Sequence, residues 1–381
     1  MLIDAPLATP AARATRARLL DLARRRAADT MFLDELSREL RHLVPFTASF
    51  WAASDPLTTL AVSPARVENL GRQCARWWER EFLVQDFNLF RDLAQAKQPA
   101  ASLVRATGGQ PGRSARYREL RSELGYGDEL RGVFRCGTTV WGLVSLWRTA
   151  EEPPFTAGEE KLLAELSTPI AEAFRRATLL HTSHGDGATE APGLLVFDDH
   201  LRLESFNSQA EAWLNELTPT VLCDGDALDA AIPTAIRPVV ARAHAVAAGI
   251  EEESGRVRVR TRSGRWVVVH GFPLRGVAPG PGRTAVVIEP AKASDIAPLL
   301  VAAYGLGPRE QQITQMIARG LNTSRIADQL CLSPHTVRDY VKLILDKVGV
   351  RSRGELVAHL FAEHYWEPLR DGITRAPHGP A

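Results

Sequence analysis

Near the C-terminus, four side chains able to meet a polar partner, His335, Arg338, Asp339 and Lys342, fall at i, i+3, i+4 and i+7. A helix through them sets all four on one face. Hydrogen-bonding and cationic groups near the start of an exposed helix suit the base edges of a DNA major groove. The opposite face repeats Val337, Val341, Ile344, Leu345 and Val348, a stripe that asks for burial. A solvated charged face on an ordinary helical bundle is the bland alternative, and the pattern alone leaves it open. Elsewhere the chemistry does not assemble. There is no Walker A loop, HExxH, GxSxG or dinucleotide fingerprint. Asp198, Asp199 and His200 are adjacent in a strand-turn segment and point in different directions. His181 and His184 have the spacing of two metal ligands but no third nearby, and His200, His244 and His270 read as surface or strand histidines. No catalytic residue, metal site or cofactor is assigned, and the chain reads as a non-enzyme.

The elements around the four side chains are marked by strong start and stop signals. Pro308 suits a first helical position, Ile313, Met316 and Ile317 repeat at helical spacing, and Gly320 ends the run. Asn322 or Thr323 caps a second helix with Ile326, Ala327 and Leu330 on its apolar face. Ser333 and Pro334 form an N-cap and first-position pair for the third helix, which Gly349 stops. Ser352 caps a fourth, bearing Leu356, Val357, Leu360 and Phe361. Two helices joined by a short turn, the second presenting a polar face, make a helix-turn-helix.

From Leu306 to Phe361 this segment resembles the DNA-binding domain of LuxR-type transcriptional regulators. The resemblance rests on Leu306-x-Pro308-Arg309-Glu310, Gly320-Leu321 with Ile326-Ala327, and Ser333-Pro334-x-Thr336-Val337-Arg338. It continues through Leu345-x-Lys347-x-Gly349-Val350-Arg351-Ser352-Arg353 and Glu355-Leu356-Val357. It implies that Arg338, Asp339 and Lys342, with His335 on the same face, meet bases. It also implies that Thr323, Ser333, Thr336, Arg351 and Arg353 meet phosphates. Arg325 stands where the family usually has Glu; it removes a capping-box partner and adds a cation to the phosphate-facing set. Tyr340 replaces a common His. Leu356, Leu360 and Phe361 are candidate dimer contacts, with a role in the domain's own core as the alternative.

At 381 residues the chain has room for about two or three domains. A formal net charge of +1 excludes a polycation, so attraction to DNA must be local, as it is between Arg338 and Arg353. Cys74, Cys136, Cys223 and Cys331 are too dispersed for a disulfide framework or zinc site. No signal peptide or long apolar run appears, and a cytoplasmic protein without a membrane anchor is expected.

The N-terminal region reads as one helix from Ala11 to Val44, with Arg24 to Arg26 as a solvated cationic run, followed by a half-buried strand in FTASFWAA. Pro64 to Ala96 reads as helical, and Trp77, Trp78, Phe82, Phe87 and Phe90 within it are either core or the lining of a ligand pocket. Gln98 to Pro111 reads as a polar, flexible stretch. A helix near Tyr117 to Leu124, a hairpin of ELRGVFRC and TVWGLVSLWR, and a helix from Ala157 to Leu180 follow. Trp141-Gly142-Leu143-Val144-Ser145-Leu146 and PFTAGEEKLLAELSTPIAEAF carry a resemblance to GAF sensory domains, which implies response to a small molecule or protein.

His181 to Pro192 reads as a linker. Next come strands GLLVF and RLESF, a helix opened by Asn207, and strands RVRVRTR, RWVVVHGFPLR and TAVVIEP. This order, with Asn207 after the second strand, resembles a PAS domain. Arg256, Arg258, Arg260 and Arg262 share one strand face, read as solvated and protecting an edge rather than as an anion site.

The expected fold is multidomain α+β. It comprises a GAF-like sensory domain at 11–180, a linker at 181–192, a PAS-like domain at 193–290 and a linker at 291–304. An all-α four-helix LuxR-type domain at 305–366 and a flexible tail at 367–381 complete it. The expected function is sequence-specific, double-stranded DNA binding in transcription regulation, as a homodimer controlled by a small-molecule or protein signal, with RNA polymerase a candidate partner. The alternative is an interaction protein whose DNA-binding domain is idle or titrates another regulator.

Overall fold

Runs rich in β-branched and aromatic residues build two five-stranded antiparallel sheets in the computed structural model, which describes residues 9–70, 74–179, 191–217, 232–275 and 282–362. The first sheet comprises β1 (Ala48–Ser54), β2 (Ala61–Glu68), β3 (Ala100–Ser102), β4 (Tyr126–Cys136) and β5 (Thr139–Thr149), in the order β2-β1-β5-β4-β3. The second comprises β6 (Gly193–Phe197), β7 (Leu203–Phe206), β8 (Arg256–Arg260), β9 (Trp266–Leu274) and β10 (Arg283–Pro290), in the order β7-β6-β10-β9-β8. The two orders are one topology used twice, so strand order does not separate a GAF-like from a PAS-like module.

In the first module the hairpin β4–β5 lies at the centre, and helix α7 (Ala157–Leu179) covers one face through Leu162, Leu163, Leu166, Ile170 and Phe174. Helices α3 (Cys74–Phe82) and α4 (Phe90–Gln95) cover the other. With both faces occupied, β1 is buried at every residue instead of alternating as expected. The expected N-terminal helix is two helices, α1 (Pro10–Arg25) and α2 (Thr30–Arg41). Between them the Ala28 N–H donates to Ala173 O of α7 at 3.2 Å, and Asp29 turns extended to cap Phe32 N at 2.7 Å.

The expected helix from Pro64 to Ala96 is also corrected, because its first part is strand β2. Ala52 pairs with Ala65 and Ala53 with Val62, so a bulge sets Ser63 and Pro64 outside the ladder on an edge strand. A proline is tolerated there because no ladder bond needs its missing N–H. The stretch expected to be flexible near Gln98 contains β3 and the short helix α5 (Leu103–Ala106), joined by Ser102, whose hydroxyl donates to Asp128 at 2.9 Å. Helix α6 (Ala115–Leu124) lies where expected.

In the second module Asn207 caps α8 (Ser208–Glu216), and α9 (Ile236–Ala247) packs on β9 and β10. The β8 arginines are not a solvated face. Arg258, only 11% exposed, meets the fully buried Asp55 of the first module at 3.0 Å, and its backbone N–H donates to the same oxygen at 2.8 Å. The guanidinium of Arg260 lies over Trp266, and burial pushes its pKa down to about 10. Arg262 is exposed.

A separate unit begins at Ala291. Its first helix, α10 (Ala293–Ala303), occupies the segment expected as a linker and buries Ile296, Leu299, Leu300 and Val301. Four further elements follow: α11 (Pro308–Ala318), α12 (Thr323–Leu330), α13 (Pro334–Val348) and α14 (Arg353–Val357), the last continuing into a π-helical turn over Ala358–Ala362. Among the described residues no helix is long and apolar enough to cross a membrane.

Candidate nucleic-acid interface

Helix α13 is set by signals at both of its ends. Before it, Cys331 takes a left-handed conformation (φ 53°), and Leu332 N closes the preceding helix on Ala327 O at 2.9 Å. Ser333 then caps α13, accepting from Thr336 N at 3.0 Å, with Pro334 at the first position. Gly349 (φ 78°) ends it, donating to Leu345 O at 2.9 Å. Val337, Val341, Ile344 and Val348 are buried against the rest of the unit, whereas Leu345, expected in that stripe, is half-buried.

His335, Arg338, Asp339 and Lys342 are all exposed on the other face. His335 Nδ1 lies 3.0 Å from Asp339 Oδ2, one helical turn away. Arg338 and Lys342 form no ion pair with a described residue, so both cationic ends are available to an anionic or hydrogen-bonding partner. Leu343, half exposed beside them, adds an apolar surface that its place in the sequence pattern did not single out.

The residues expected to meet phosphate divide into two kinds. Ser333 and Thr336 sit at the start of α13 with hydroxyls 2.9 Å apart, and Arg325 and Arg351 are exposed. Thr323 and Arg353 instead engage one another, Arg353 Nη2 donating to Thr323 Oγ1 at 2.8 Å, which ties the start of α14 to the start of α12. The departure at Arg325 does not cost α12 its cap, because Asn322 Oδ1 accepts from Arg325 N at 3.0 Å.

Reading the sequence missed the bond that orients the exposed helix. Glu310, buried, accepts from Gly307 N at 2.6 Å and from Lys347 Nζ at 2.6 Å, fixing α13 to the first turn of α11. The available signal was a capping acid at the third helical position, with no sequence cue to its distant lysine. Leu356 and Leu360 are both fully buried in the unit's own interior, where the turn at Ala358–Ala362 packs on α10. As dimer contacts they are corrected: neither offers surface to a second chain. The side chain of Phe361 lies outside the described residues, as do His181, His184, Cys223 and the tail.

The aromatic cluster of the first module is mainly core. Trp77 is wedged between Phe50 (5.0 Å) and Trp78 (4.5 Å), and Phe87 lies 5.2 Å beneath the Arg113 guanidinium. Trp78 and Phe82 do line a cavity of about 180 Å³, together with Phe90 and Leu143, whereas Trp77 and Phe87 do not.

Residues 305–360 match the family described as GerE, bacterial regulatory proteins of the luxR family. The sequence is 38% identical over 55 residues to the transcriptional regulatory protein DesR of Bacillus subtilis (strain 168), covering 14% of this chain and 28% of that one. It is 46% identical over 59 residues to the transcriptional activator protein ExaE of Pseudomonas putida, covering 16% and 27%. The chain thus spans under a third of the length of these relatives, and its residues 305–360 form a luxR-family domain. Among solved structures, a GAF domain/HD domain protein from Geobacter sulfurreducens aligns with 43% of this chain and 99% of its own at 20% identity and a TM-score of 0.29. SdiA in complex with octanoyl-rac-glycerol aligns with 93% and 96% at 12% identity and a TM-score of 0.33. TM-scores this low do not establish a shared fold.

Proposed function

We propose that this chain is a sequence-specific DNA-binding transcription regulator in which two sensory-type modules, at 11–180 and 193–290, control a luxR-type domain at 305–366. The observation that carries the reading is the disposition of α13 within the luxR-family segment. Its valines and Ile344 are buried, while His335, Arg338, Asp339 and Lys342 are exposed. In this reading those four face bases, and Ser333, Thr336, Arg325, Arg351 and the Thr323–Arg353 pair face phosphates. Two domains on paired half-sites form the working dimer, in the cytoplasm, and a small-molecule or protein signal changes how they are presented. RNA polymerase is the candidate downstream partner.

Selection from random duplex DNA tests the proposal directly, because a regulator enriches a motif and an interaction protein enriches nothing. On the selected site, Lys342→Ala is expected to weaken binding by about 1–3 kcal/mol and relax preference at one position. Arg351→Ala is expected to weaken all sequences alike and to lower the salt slope by about one unit. Unchanged affinity in both variants across a salt series removes α13 from the groove.

A further inference from the structure

Asp339 is the odd residue on the exposed face of α13. A surface that meets DNA gathers cations, and a carboxylate among them repels the same phosphates that they attract. The ordinary reasons for an acid at this place do not apply. Helix α13 opens at Pro334, so Asp339 is its sixth residue. That is beyond the first turn, where the free N–H groups and the helix dipole favour an anion. Nor does Asp339 serve the interior of the unit, since its side chain is 65% exposed. Arg338 and Lys342, the cations beside it, are left without an ion pair among the described residues, so it does not neutralise them either.

The side-chain partner of Asp339 is His335, one turn toward the helix N-terminus, with Nδ1 3.0 Å from Oδ2. An exposed pair of this kind adds little stability. It does occupy one carboxylate oxygen, while Oδ1 has no partner among the described residues and remains open to accept.

A carboxylate can only accept. In the major groove the donors are cytosine N4 and adenine N6, whereas guanine offers O6 and N7 and thymine O4, all acceptors. Adenine also sets N7 beside its amino group, so an acid that reaches N6 faces a second acceptor. Cytosine sets no acceptor beside N4 and is the base that suits a lone carboxylate.

We propose that Asp339 is a specificity-determining residue that accepts a hydrogen bond from cytosine N4 and so fixes a cytosine–guanine pair at one position of each half-site. The inference rests on the reading of α13 as the base-facing helix. Arg338 and Lys342 keep their donors for guanine O6 and N7 in the same groove. The acid thus lowers affinity for DNA in general and raises selectivity at one pair.

Selection from random duplex DNA with the full chain and its Asp339→Asn and Asp339→Ala variants tests the proposal. The unaltered chain is expected to enrich a motif with a cytosine–guanine pair that becomes adenine–thymine in Asp339→Asn, because asparagine matches adenine N6 and N7 together. In Asp339→Ala the preference at that pair is expected to vanish, with non-specific DNA bound more tightly. Titration of the unaltered chain against a site with that one cytosine replaced needs no variant and is expected to show about tenfold weaker binding. The same replacement is expected to change Asp339→Ala binding by less than about twofold. Thermal melts followed by circular dichroism check that both variants, altered only at an exposed side chain, keep the fold. A motif unchanged in Asp339→Asn or in Asp339→Ala overturns this inference and leaves the regulator reading standing. Failure of the unaltered chain to enrich any motif overturns both.

Discussion

The two sheet modules share one strand order, yet their interiors are made of opposite chemistry. In the first, Arg131 is fully buried and reaches Glu81 at 2.8 Å, Glu129 at 3.3 Å and Ser145 at 3.0 Å, with its guanidinium 3.9 Å from the centre of the Phe90 ring. Arg116 meets Glu129 at 2.8 Å, and Arg148 meets Glu159 at 2.5 Å, again out of water. In the second, the inward positions are Leu195, Phe197, Val257, Val259, Val267, Val269, Val286 and Ile288, and Arg237 is the one buried charged residue among those described. Topology is therefore indifferent to whether the core is ionic or apolar; it follows from alternation and strand pairing. What the ionic core adds is position. Glu81 also accepts from Phe90 N at 2.7 Å, so the same network that links α3 to the sheet sets the start of α4 over the cavity.

The largest expected effect comes from cutting that network. Arg131→Ala strands Glu81 in the interior, Glu129 keeping Arg116, and is expected to cost about 3–5 kcal/mol in urea denaturation. Arg260→Ala in the second module, which loses chiefly its contact with Trp266, is expected to cost about 0.5–1 kcal/mol. Similar losses in the two variants would break the contrast.

A smaller effect probes packing on the apolar side. A Cβ at Gly255 would lie 2.4 Å from Val239 O, a backbone atom of α9 that cannot rotate away. Gly255→Ala is therefore expected to cost about 1–3 kcal/mol and to speed hydrogen exchange in β8 and β9 before it does so in β4 and β5.

The smallest effect concerns pH. Burial lowers the pKa of His244 and, with help from Arg256, that of His270, below the ordinary 6.5. The unfolded chain then binds protons that the fold resists, so the second module loses stability as pH falls through 6.5. In the first module, Glu68 is shifted the other way from the usual effect of burial: desolvation would raise it, but Arg66, Ser49 and Ser37 hold it below 4.5. Its contribution is present above 4.5 and is lost only as pH falls through its lower folded value. Exchange rates corrected for intrinsic pH dependence should thus loosen β8–β10 first on acidification, and His244→Gln with His270→Gln should remove the difference. First loosening in β1–β5 instead would contradict it.

The sequence by itself determined the C-terminal helices and the exposed face of α13. Pro308, Ser333, Pro334, Gly320 and Gly349 each act within one helical turn of where they stand, and the valine stripe repeats at the period of the helix it forms. The hairpin β4–β5 and the strands flanking Asp198, Asp199 and His200 were legible for the same reason, since their pairing is local. Only the tertiary structure decided that Pro64 sits in an edge strand, that α1 and α2 part at Asp29, and that Leu356 and Leu360 belong to the core. It also decided that Arg258 finds Asp55 across 203 residues of chain and that Arg242 closes the cavity beside Trp78 and Phe82. These outcomes depend on desolvation and on partners remote in sequence. No local propensity encodes which charge, or which helix, will arrive from the far side of a sheet.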